Sequence, residues 1–129
     1  MNDLVMLLAR VCLSAIFILS GFGKLVAVGG ISAVLARQGL PQPKMLGYAV
    51  GLIEVFGGIM VLVGFAARWA AIALALFTVA TIFIAHKFWA VDATQYMAQR
   101  TQALKNIGII GGFLMLFACG PGRFSADGR

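Results

Sequence analysis

One carboxylate in this sequence stands where a charge is hard to keep. Glu54 lies inside the apolar run Met45 to Phe65, with Ile53 and Val55 beside it and Gly57-Gly58 just beyond. At the centre of a membrane-spanning helix a charged side chain costs roughly 2.5–3.5 kcal/mol on insertion scales, so it marks a functional site or an internal pair. Glu54 has to meet a cation, carry a proton, or face a polar cavity. Arg10 interrupts an earlier apolar run, Leu4 to Phe22, and is the first cation to weigh. At 1.5 Å per residue it sits roughly 9 Å inside its end of that run, while Glu54, on the next and antiparallel run, lies roughly 16 Å from the same face. Two arrangements stay open. One is a structural ion pair between Arg10 and Glu54; the other is an Arg10 that snorkels outward and a protonated Glu54 hydrogen-bonded inside the bundle.

A second group gathers at the opposite ends of the apolar runs. Lys24 closes the first, His86 and Lys87 close the third, and Lys105-Asn106 open the fourth. Antiparallel helices put all five at one depth. Taken singly, a lysine at a helix end is an interfacial anchor. Together, with Glu54 opening toward them, they line a pocket for an anion or a quinone headgroup. In that reading Glu54 and His86 are the catalytic, proton-handling residues, since imidazole exchanges a proton near neutral pH. Lys24, Lys105 and Asn106 bind the ligand, and quinone is the candidate cofactor. No metal-ligand spacing, nucleophile triad, P-loop or haem motif occurs. Cys12 and Cys119 have no C-x-x-C partner and read as small, apolar-tolerant core residues.

The elements that must position these residues follow from composition. Of 129 residues 62% are hydrophobic and 11% charged, against roughly 45–50% and 25% in soluble domains. So few polar side chains cannot cover a soluble surface; part of it must face lipid. The net charge of +6 would suggest nucleic acid in a soluble chain, but here the cations lie between apolar runs, as membrane-flanking residues do. Four such runs, about 4–22, 45–65, 69–85 and 103–119, are 17 to 21 residues long, and about 20 residues span the hydrocarbon core. Helices are the reading, because in lipid each backbone polar group must be satisfied within its own segment. The expectation is an all-α fold, a four-helix transmembrane bundle forming one domain over 1–129.

The first run is expected to be retained rather than cleaved as a signal peptide. Asp3 stands where a basic segment belongs, Arg10 breaks the run, and no convincing small-x-small site follows. Ala66, Ala67 and Arg68 join the second and third runs in a tight hairpin. Ile31 to Arg37 shows apolar residues at helical spacing and predicts a short interfacial helix between spans 1 and 2, ended by Pro41 and Pro43. Phe88, Trp89 and Tyr96 suit the headgroup belt.

Both termini and the 66–68 turn share one face, with Arg68, Arg123, Arg129 and a snorkelling Arg10. Lys24, Arg37, Lys44, Lys87, Arg100 and Lys105 occupy the other, which predicts cytoplasmic long loops and outward termini. Gly47 and Gly51, like Gly108 and Gly112, stand four apart, a spacing that lets helices approach closely within a bundle or between subunits.

The residues also resemble a family. Gly23-Lys24 closing the first span, Glu54 followed by Gly57-Gly58, Gly64, His86, Lys105-Asn106, Gly111-Gly112 and the tail Gly120-Pro121-Gly122-Arg123-Phe124-Ser125-Ala126-Asp127 are similar, in order and spacing, to the DoxX family of small bacterial membrane proteins. The resemblance runs from about Leu4 to Asp127. It implies a multi-pass protein of the bacterial inner membrane. It also implies an association with membrane oxidoreductase complexes that handle sulfur or oxidative stress, since the family takes its name from a thiosulfate:quinone oxidoreductase subunit.

Three functions remain open on the sequence. The first is the membrane subunit of a quinone-linked oxidoreductase complex, with the chain's own enzyme activity undecided. The second is a non-enzymatic scaffold or assembly factor, and the third a small transporter element with Glu54 on an ion path. The lipid bilayer is a partner in each; redox-enzyme subunits and further copies of the chain are candidates, and nucleic acid is not.

Overall fold

A computed structural model describes residues 2–128 and builds them entirely from helices and turns. The elements are α1 (Asn2–Val26), α2 (Val28–Arg37), α3 (Pro43–Val63), α4 (Ala67–Ile84), a single 3-10 turn at Phe88–Ala90, and α5 (Ala93–Cys119). Four helical segments are long and apolar enough to cross a membrane: α1, α3, α4 with its continuation to Ala90, and α5. Arg129, one of the cations assigned to the terminal face, lies outside the described residues.

The helix ends have local causes. Pro43 opens α3, where its fixed φ is already helical and its missing N–H is not needed. Gly64 closes α3 at φ +73°, the left-handed position that only glycine takes without penalty. The short helix expected from Ile31 begins three residues earlier, at Val28, and packs on α3. α5 begins at Ala93, well before the apolar run that starts at Ala103. Hydropathy delimits what lies in lipid, whereas Ala, Gln, Met and Arg continue a helix into the polar layer by propensity.

α1 lies against α3, α3 against α4, and α4 against α5, while α1 and α5 meet more thinly. Gly21 sets the α1–α3 approach. A Cβ there would stand 2.7 Å from the Gly51 carbonyl oxygen and 2.8 Å from Glu54 Cβ. Gly47 and Gly51 likewise face Val28 and Leu25 of the same chain, and Gly112 faces Leu13, whereas Gly108 and Gly111 face open space. The buried core sits toward the end that carries the termini, around Phe17, Val61, Leu74, Phe113 and Leu116. There the rings of Phe17 and Phe113 pack at 5.4 Å between centroids. The outer faces present Leu19, Phe22, Phe56, Trp69, Leu76 and Met115, the apolar coat that a bilayer requires.

The tail folds back over the α3–α4 turn. Ala126 N–H donates to the Val63 carbonyl at 2.8 Å and Asp127 N–H to that of Gly64 at 2.9 Å. Both Asp127 carboxylate oxygens accept bonds, at 2.9 and 2.8 Å, from the amides of Ala66 and Ala67. These are the first N–H groups of α4, which the helix cannot pair itself.

Candidate functional site

Toward the loop end the helices part around a cavity of about 610 Å³. Residues of α1 through α5 line it, including Ser20 and Lys24 of α1, Glu54 of α3, Thr78 and Thr81 of α4, His86, and Gln99, Lys105 and Asn106 of α5. Its remaining wall is apolar, with Ile16, Phe17, Val34, Leu35, Phe77 and Ile109. The structure thus brings Lys24, Glu54, His86, Lys105 and Asn106 to one cavity. Lys87 and Arg10 are not part of its lining.

Glu54 is 4% exposed and pairs with Lys24, whose Nζ lies 2.7 Å from Oε1. The same ammonium donates to Ser20 Oγ at 2.8 Å, one helical turn back along α1. Lys24 therefore turns inward instead of snorkelling to the surface. Asn106 Nδ2 donates to Thr81 Oγ1 at 2.9 Å, and the Thr81 hydroxyl donates to the Thr78 carbonyl at 2.7 Å. His86 Nδ1 lies 2.9 Å from Gln99 Oε1, which ties the end of α4 to the polar start of α5.

The ion pair expected between Arg10 and Glu54 is not formed. Arg10 is 1% exposed and its guanidinium donates to the carbonyls of Val61, Leu62 and Phe124, the Leu62 bond being 2.7 Å. Nor does it snorkel. The register of α1 on α3 is the reason. Gly21 packs on Gly51 and Val55, and Gly58 packs on Ile18, so Glu54 is level with Gly21. At 1.5 Å rise, Lys24 lies about 4.5 Å along the axis from that level and Arg10 about 16 Å. Arg10 instead meets the last-turn carbonyls of α3, of which that of Val61 also accepts the Gly64 N–H at 3.2 Å.

Sequence reasoning did not single out Ser20, Thr78, Thr81 or Gln99. The signal was present: Ser20 and Lys24 are one turn apart, as are Thr78 and Thr81, and such spacings put hydroxyls on one face of an apolar helix.

A membrane bundle with an inward-facing lysine–carboxylate pair in the wall of a ligand-sized cavity is the class that this geometry defines. The DoxX family profile matches residues 5–87, and the chain belongs to the DoxX family. It is 31% identical to the inner membrane protein YphA of Escherichia coli (strain K12), over 99% of this chain and 91% of that protein. Identity with the inner membrane protein YqjF of the same organism is 35%, over 98% of this chain and 92% of that protein. A Surfeit locus protein 4 homolog of Schizosaccharomyces pombe is 29% identical over 81% of this chain but only 35% of its own length. No solved structure matches the chain. The chain is thus a multi-pass inner-membrane protein, with α1, α3 and α4 inside the family match and α5 beyond it.

Proposed function

We propose that this chain is the membrane subunit of a quinone-linked oxidoreductase complex, and that its cavity holds the quinone headgroup. The observation that supports this reading is the lysine–carboxylate pair in a cavity wall at membrane depth. An ion pair in a sealed core is a poor source of stability, since desolvation offsets most of the attraction. Facing a cavity, the same pair is a place to bind. The volume falls within the range of small-molecule sites, which are mostly apolar with a few directed polar groups. A ring headgroup with an apolar tail matches that pattern.

A bound quinone supplies two-electron chemistry, exchanged with a partner subunit. Lys24, Lys105 and Asn106 orient its ring, and the protons move through Glu54 and His86. The polar start of α5, with Tyr96, Met97 and Arg100 exposed, offers the partner a surface beyond the apolar segment. The test is purification in mild detergent with mass spectrometry of everything that stays bound. Near-stoichiometric quinone together with a redox-enzyme subunit is the expected result. A clean homo-oligomer carrying only phospholipid would shift the function to a scaffold. Glu54→Gln should leave the chain in the membrane but abolish quinone-linked activity of the complex; a variant that loses only abundance would make Glu54 structural.

A further inference from the structure

The hydrogen-bond bookkeeping of the cavity wall distinguishes the two redox forms of such a ligand. Lys24 holds Glu54 through Oε1, and among the described residues no donor reaches Oε2. Held 2.7 Å from an ammonium, the carboxylate is acceptor-only, and so is that remaining oxygen. Asn106 is oriented by its neighbours. Thr81 spends its proton on the Thr78 carbonyl, so its oxygen must accept, and the amide nitrogen of Asn106 must face it. The amide oxygen of Asn106 is then left for the cavity. Two acceptors on α3 and α5 thus await donors from the ligand. Both oxygens open onto the cavity, so a ligand that covers either one without donating to it leaves that acceptor desolvated and unpaired.

We propose that the cavity selects the reduced, dihydroxy form of the quinone couple over the oxidised, dicarbonyl form, with Glu54 Oε2 as the principal acceptor. This rests on the quinone reading above. A phenolic hydroxyl satisfies both members of the ion pair: it donates to Glu54 and accepts the spare N–H of Lys24. A quinone carbonyl can only accept. It meets Lys24 but leaves Glu54 Oε2 desolvated with no donor. One hydrogen bond to a charged group corresponds to a preference of at least about tenfold. A tenfold tighter hold on the reduced form raises the potential of the bound two-electron couple by about 30 mV.

The experiment measures binding of decylubiquinol and decylubiquinone to the full chain in phospholipid nanodiscs under argon, by equilibrium dialysis. The expected result is a Kd at least about tenfold lower for decylubiquinol. Glu54→Gln, whose amide can donate to a carbonyl, should bring the two forms within about threefold of each other, less than one such bond supplies. Asn106→Ala, which leaves the ion pair intact, should weaken decylubiquinol and retain most of the preference, and it serves if Glu54→Gln does not assemble. Equal binding of both forms by the wild-type chain, or tighter binding of the oxidised form, overturns the selectivity and leaves the quinone reading standing. Binding of neither form overturns both.

Discussion

Lys24 and Glu54 form a pair whose members do not share the burden equally. Glu54 is nearly enclosed, while the Lys24 side chain keeps 25% of its surface. Removing the lysine alone strands a carboxylate in a low-dielectric wall, which costs several kcal/mol unless the group takes up a proton. Removing both charges strands nothing. Lys24→Met should therefore lower stability by about 3 kcal/mol, near the bottom of the range for a broken buried pair because Lys24 is partly open. Lys24→Met combined with Glu54→Gln should recover most of that loss. Unfolding of the purified variants in mixed micelles measures the cycle. A double variant no better than the single one would mean that the two residues are not coupled.

At the scale of the helices, close approach rather than side-chain interlock joins α1 to α3. Without water to drive association, helices in lipid gain from van der Waals contact, which small residues permit. Gly21 has no space for a methyl group, since the obstacle is the backbone oxygen of Gly51 and cannot rotate away. Gly21→Ala should cost about 1–3 kcal/mol through overpacking. It should also move Lys24 off Glu54, because the same register brings them together. Gly108→Ala meets nothing within 4 Å and should change stability by less than about 1 kcal/mol, in the direction of the better helix former. Melting temperatures of the two variants in one detergent decide the matter. A large loss at Gly108 would reveal a contact on that face with something outside this chain.

Across the whole molecule, the C-terminal tail is the clasp of the terminal end. It pairs its backbone with the α3–α4 turn, caps the start of α4 through Asp127, and gives its Phe124 carbonyl to Arg10. Ala66, left-handed at φ +46° without being glycine, is held in that conformation by the Asp127 carboxylate. Asp127→Ala should cost about 1 kcal/mol, the usual worth of a helix cap, and speed hydrogen exchange at the Ala66 and Ala67 amides. Arg10→Leu should cost about 3 kcal/mol, since it frees carbonyls bonded to a charged donor. The two act on one seam, so the double variant should lose less than the sum. Full additivity in thermal unfolding would show two independent contacts.

Much of this was determined by the sequence alone. Four runs of lipid-spanning length, a polar-poor composition and the ordered glycine and charge signatures define an all-helical membrane protein of the DoxX family, because a bilayer leaves the backbone few choices. Glu54 was recognisable as a residue needing a partner, for a charge in an apolar run always does. Which partner it takes was decided only by the tertiary structure. The choice between Arg10 and Lys24 depends on the axial register of α1 against α3, set where Gly21 meets Gly51 and Glu54. Residue counts from the span ends carry no such information, because α1 runs on to Val26, past its apolar run. The same holds for Arg10. Its three carbonyls come from α3 and from a tail more than a hundred residues away, and no local pattern encodes a contact that exists only after the chain has turned back on itself.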